Sequence, residues 1–141
     1  MRINTKFSVA VHVMILVSVE TEPSSSAWIA GSVNTNPVVI RRIIGLLQKA
    51  GLLSGSQGKS GYTIMKPVSK LTLLDIYRAV AVSESDQLFG IHENSNIACP
   101  VGASIQFLLE TVMGDAQNAM EKVLKAVTLQ QLIDKMPKGA T

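Results

Sequence analysis

The sequence predicts a mainly α-helical fold with a small β-wing: a winged helix-turn-helix followed by a long C-terminal dimerisation helix. Three observations predict it. Two helical stretches are joined by the polar turn Asn34-Thr35-Asn36, and the second opens on an Asn-Pro capping pair. A glycine-rich segment carrying Lys59 separates two short β-prone runs. After a polar, turn-rich stretch, apolar residues recur at spacings of three and four from Val101 to Val127.

The elements follow in order. The first helix is expected over residues 5–19, capped by Thr5, with Phe7, Ala10, Val11, Met14 and Val17 on one face. Val9, Val13 and Leu16 widen that face, which implies burial on more than one side. A polar linker from Glu20 to Ser26 follows, and its Pro23 ends the helix. Ser25 or Ser26 caps a short helix from Ala27 to Val33, with Trp28, Ile29 and Val33 pointing inward. Asn36 and Pro37 start the next helix, whose stripe Ile40, Ile43, Ile44 and Leu47 runs to Ala50 and stops at Gly51. Leu52-Leu53-Ser54 and Tyr62-Thr63-Ile64-Met65 read as strands around a hairpin tip holding Gln57 and Lys59. Thr72-Leu73-Leu74-Asp75 resembles a capping box and opens a helix to about Val82. Cys99-Pro100 precedes the longest helix, and Thr128 to Gln131 forms another capping box before a last helix ending at Met136. The implied organisation is a winged domain over 1–82, a linker loop over 83–100, and the dimerisation and C-terminal helices over 101–141.

Composition removes several classes. With 4% aromatic residues the core must be aliphatic. A single cysteine excludes a disulfide framework and any site needing two thiolates from one chain. His12 and His92 lie far apart, so no close pair of zinc ligands exists. The longest apolar run, Phe7 to Val19, is interrupted by Ser8, His12 and Ser18 and falls short of the ~20 residues a bilayer span needs. No basic leader or cleavage site is seen at the start, so a cytoplasmic protein without membrane contact is expected. Residues 1–66 carry seven basic and two acidic side chains, whereas residues 67–141 carry six basic and eight acidic ones. A basic front half implies a polyanionic partner, unless the charges only solvate the surface.

The ordered set of helix, turn, capped basic helix and glycine hairpin suits duplex DNA. A helix N-terminus presents free N–H groups to phosphate, and exposed side chains of the second helix fit the major groove. Arg reads guanine O6 and N7 through paired hydrogen bonds. Thr35, Asn36, Val38, Arg41 and Arg42 are the candidates at that helix, with Asn36 a structural cap in either case. Arg2, Lys6 and Lys49 are candidates for phosphate, and Gln57 and Lys59 for the wing tip. Tyr62 is expected to pack the wing onto the body.

The chain resembles the Rrf2 family of bacterial winged-helix transcription regulators. The residues that carry the resemblance are Met1-Arg2 through Ala10-Val11, Ile29-Ala30 with Asn34 through Arg42, Leu46 through Leu53, Gly58 through Tyr62, and Leu73 through Val80. Val33 through Arg42, with His92-Glu93-Asn94 and Cys99-Pro100-Val101-Gly102, looks most like the YwnA-type subgroup. The resemblance implies a homodimer assembled through the long helix. Cluster-binding members place three cysteines before that helix, and only Cys99 has a counterpart here. No iron–sulfur cluster and no other cofactor is therefore expected. Several relatives carry Arg where this chain has Gln57, which leaves Lys59 as the only cation of the tip.

Cys99 has three readings: a small buried hydrophobe, a redox sensor with a pKa lowered by the helix N-terminus, or a contact with its symmetry mate. His12 reads as a satisfied core or interface residue. The long helix is too long for the winged domain to cover, so Ile105, Leu108, Leu109, Val112, Met113, Ala116 and Met120 are expected at a dimer interface. Two copies then place two reading helices about one DNA turn apart, on an inverted-repeat operator. The functional expectation is a homodimeric sequence-specific regulator, a repressor rather than an enzyme. A winged-helix interaction module that does not bind DNA is the alternative.

Overall fold

The structure is a computed structural model, and it describes residues 3–19, 25–55, 61–82 and 96–137. The elements in chain order are α1 (Ile3–Val19), α2 (Ser26–Val33), α3 (Pro37–Lys49), β1 (Leu53–Gly55), β2 (Tyr62–Ile64), α4 (Leu73–Val80), α5 (Pro100–Lys125) and α6 (Leu129–Asp134). This is the mainly helical, winged architecture that the sequence predicts.

The caps set the geometry. Ser25 caps α2, its side chain accepting from the Trp28 N–H. At the other end Asn34 takes a left-handed backbone (φ 63°), a conformation its short polar side chain tolerates, and Thr35 N–H closes the turn on Ala30 O at 3.0 Å. Asn36 Oδ1 accepts from Val38 N at 2.7 Å, and Pro37 needs no donor at the first helical position. At the far end of α3, Gly51 (φ 79°) sends its N–H to Gln48 O while Leu52 N–H reaches back to Leu47 O, both at 3.0 Å. That is the Schellman arrangement, with Leu47 and Leu52 buried beneath it.

One core joins the elements. Ala10, Val13 and Met14 of α1 meet Ile29 of α2, the Ile40–Leu47 stripe of α3, and Leu74, Ile76 and Val80 of α4. Phe7 meets Tyr77 edge to face, ring centroids 6.1 Å apart. The two capping boxes lie side by side: Leu73 N–H donates to Val127 O at 2.9 Å and Leu129 N–H to Leu71 O at 2.8 Å. Leu71 and Leu129 are fully buried there, so the C-terminal helix shares the core of the front half.

Several boundaries and one orientation differ from the sequence reading. Helix α1 begins at Ile3, because nothing between Ile3 and Thr5 breaks it, so Thr5 lies inside the first turn. Leu52 and Met65 fall just outside the strands, although Met65 N–H still donates to Leu52 O. Helix α4 ends at Val80, α5 at Lys125 and α6 at Asp134, each short of its expected end. Trp28 does not point inward: it is 46% exposed. On this eight-residue helix Ser26, Ile29 and Ala30 form the buried face, and Trp28 lies about 100° around from Ile29.

Candidate nucleic-acid interface

Helix α3 has two sides with different fates. Ile40, Ile43, Ile44 and Leu47 are buried. Opposite them, Val38, Arg42, Gly45 and Lys49 form a single exposed stripe, at the i, i+4, i+7, i+11 positions of a helix. Val38 is 51% exposed. The Asn36 cap opens this stripe and satisfies the helix start itself: Pro37 has no N–H, Val38 N–H goes to Asn36 Oδ1 and Val39 N–H to Asn36 O. The stripe therefore meets an anion through its side-chain cations rather than through unpaired amides of the first turn. Thr35 is half-buried in the turn beside it.

Arg41 and Gln48, seven residues apart, flank the stripe on the side of the wing. Gln48 donates from Nε2 to Gly55 O at 2.7 Å, which ties the end of β1 to α3. The strands pair antiparallel with Leu53 opposite Ile64 and Gly55 opposite Tyr62. Gly55 has φ 107°, and a Cβ there would strike the Gly61 carbonyl. Glycine is therefore required where the strands close on one another. Tyr62 packs against the core, as the sequence suggested. Burial raises its phenol pKa, and the nearby Arg41 charge acts in the opposite direction. Gln48 was not singled out by sequence reasoning: its polar side chain at a wing-facing position becomes informative only once β1 is placed.

The base of the wing is held from the other side by Lys66, whose Nζ lies 2.8 Å from Asp75 Oδ2. Asp75 also accepts from the Thr72 N–H at 3.0 Å. Burial would raise its pKa, but the Lys66 and Thr72 hydrogen bonds together with the Lys66 charge outweigh this and hold it below the usual value.

Of the other candidates, Lys6 is half-buried on α1. Arg2, Gln57 and Lys59 lie outside the described residues, as do His92 and Glu93. His12 is satisfied across α1 and α2, with Nε2 3.4 Å from Ser32 Oγ.

Cys99 is exposed and is the N-cap of α5. The reading of Cys99 as a buried hydrophobe is thereby corrected: Pro100 starts the helix at the surface, away from the core. The backbone N–H groups of Gly102 and Val101 lower its thiol pKa. The turn before it is compact: Cys99 N–H donates to Asn96 O at 3.2 Å, and a Cβ on Gly102 would collide with that carbonyl. Helix α5 has no buried residue. Leu108 and Val112 are 58% and 60% exposed, while Ile105, Leu109, Met113 and Ala116 are half-buried. Met120 packs with Leu124 against the core of its own chain. Gln117 Nε2 reaches Tyr77 Oη at 3.3 Å and Arg78 pairs with Glu121 at 3.1 Å, so the C-terminal part of α5 rests on α4. Phe107, 71% exposed, is an apolar residue outside the expected stripe.

The model of the family described as Rrf2, iron-dependent transcriptional regulator, matches residues 3–135. The single cysteine of this chain cannot supply the several thiolates of a cluster site, and the described residues contain no group of three His, Cys, Asp or Glu able to hold a metal. Among the described residues no helix is long and apolar enough to cross a membrane. The chain is 42% identical over 132 residues to a protein designated an HTH-type transcriptional regulator, YwnA of Bacillus subtilis (strain 168), covering 94% of this chain and 97% of that one. A crystal structure described as a DNA-binding protein superposes with a TM-score of 0.72 at 37% identity, over 91% of this chain and 98% of the other. A transcriptional regulator from Lactobacillus plantarum gives the same TM-score at 27% identity, over 92% and 87%. Family and relatives are regulators, not enzymes. On the extent of these matches and the winged architecture they share, the chain belongs to the Rrf2 family of transcriptional regulators.

Proposed function

We propose that the chain is a homodimeric, sequence-specific DNA-binding repressor that needs no iron–sulfur cluster. The observation that carries this reading is the outward stripe of α3, where Arg42 and Lys49 stand with Val38 on a capped helix opposite a fully apolar face. The duplex major groove admits such a helix, and Arg42 is the residue aimed at base edges. Arg41, beside the wing, serves the phosphate backbone. Two copies pair through the uncovered apolar surface of α5, which sets two α3 helices on an inverted repeat.

The test is binding of the purified protein to genomic fragments that it selects itself. Changing Arg41 and Arg42 together to Ala abolishes selective binding, each lost bidentate base contact costing ~1–3 kcal/mol. Unaltered selection by the double variant contradicts the reading and favours a winged-helix module for protein contacts.

The exposed Cys99 with its lowered pKa supports thiol regulation of the same protein. Its thiolate attacks hydrogen peroxide, forming a sulfenic acid and releasing water after proton uptake. Peroxide then releases DNA from the parent protein and not from Cys99→Ser; equal release from both removes Cys99 from the mechanism.

A further inference from the structure

Gly45 lies within α3, four residues after Arg41, three after Arg42 and four before Lys49, on the exposed side of the helix. A glycine inside a helix is unfavourable relative to alanine, because more backbone freedom is lost on folding. At Gly51 a left-handed backbone requires it, and at Gly55 and Gly102 a Cβ would strike a carbonyl. None of these reasons applies to Gly45. Its φ is not positive, and a Cβ built there would meet no atom within 4 Å. The fold itself therefore has no use for this glycine. Gly31 and Gly114 are equally unconstrained, but no cation lies within four residues of either. Gly45 alone among the three is the floor of a notch ringed by cations.

We propose that Gly45 is the point of closest approach between α3 and duplex DNA, its missing side chain letting the helix seat deeply enough for Arg42 and Lys49 to engage together. The inference rests on the DNA-binding reading above and adds a residue that sets the depth of docking. A ridge that is polyanionic and needs clearance between cations is what a sugar–phosphate edge or the rim of the major groove presents.

The experiment uses the duplex that the full-length parent protein enriches from a randomised library, with thermal unfolding measured in parallel. Gly45→Ala raises the melting temperature, because alanine is the better helix former, and weakens binding to that duplex at least fivefold. Gly114→Ala also raises the melting temperature and leaves binding unchanged. A gain in stability with a loss of affinity is the combination that a merely structural glycine does not produce. The proposal is overturned if Gly45→Ala binds within fivefold of the parent, if it lowers the melting temperature, or if Gly114→Ala loses as much affinity. Failure of the parent to enrich any duplex overturns the DNA-binding reading and this inference with it.

Discussion

Arg41 and Arg42 are neighbours in sequence with different surroundings in the fold. Arg42 stands on the outward stripe, whereas Arg41, also exposed, lies on the side of α3 that faces the wing, where its charge acts on Tyr62. Arg42→Ala is therefore expected to flatten sequence discrimination by ~1–3 kcal/mol at one base position. Arg41→Ala is expected to weaken binding evenly across sequences and reduce the salt slope by about one phosphate contact. Comparing selected motifs and salt titrations of the two variants checks this, and identical behaviour removes the distinction. Asp75 gives a second expectation, in stability. Its folded pKa lies below the ordinary 3.8, so its contribution is fully present above that value and is lost as pH falls through the folded value. Acid unfolding of Asp75→Asn should accordingly show less stability change below pH ~4 than the parent, by the linkage of proton binding to folding. Both arginines were legible from sequence as a pair of exposed cations. Their different surroundings were not, because these depend on where the wing strands come to rest beside α3.

Each helix cap is a local device, and local devices were the most legible part of the fold. The Asn36-Pro37 start, the Gly51 stop and both capping boxes depend on residues within a few positions of one another. Trp28 shows the opposite case. A short helix offers too few positions to define its apolar face, and the exposed tryptophan is recognisable only against the buried Ser26 and Ile29. Gln48 belongs here too, since its single hydrogen bond to Gly55 couples α3 to the wing. Gln48→Ala should cost about 0.5–1.5 kcal/mol in denaturant unfolding, the net worth of one such bond. It should also lower the salt slope of DNA binding while leaving the preferred sequence intact, as expected if the wing grips backbone. A changed preference would show that the wing reads bases. The join between α4 and α6 makes a further element-scale expectation. Leu129 is fully buried in the shared core, so Leu129→Ala should cost ~2–5 kcal/mol and destabilise the front half as well as α6. Selective loss of α6 alone would contradict the shared core.

Across the whole molecule, the distribution of apolar surface is uneven. The front half buries its aliphatic residues in one core, while α5, 26 residues and ~39 Å long, rests on α4 only through its C-terminal part. Leu108, Val112 and Phe107 remain exposed on α5 ahead of the part that rests on α4, an arrangement that favours pairing with a second copy. Leu108→Glu with Val112→Glu should convert dimer to monomer in sedimentation and weaken DNA binding by tenfold or more, because each subunit then binds alone. A parent protein that sediments as a monomer contradicts the pairing. The apolar periodicity of α5 was legible in sequence, but the seating of Met120 on its own core was not, since it depends on how far α4 and α6 cover the helix. The central claim is that α3 reads duplex DNA in symmetric pairs through the stripe containing Arg42. Sequencing the genomic fragments retained by the parent and by Arg42→Ala tests it most directly. An inverted repeat with half-sites about one helical turn apart for the parent, lost or degraded for the variant, is the predicted result; no enrichment by the parent, or the same motif from both, would contradict it.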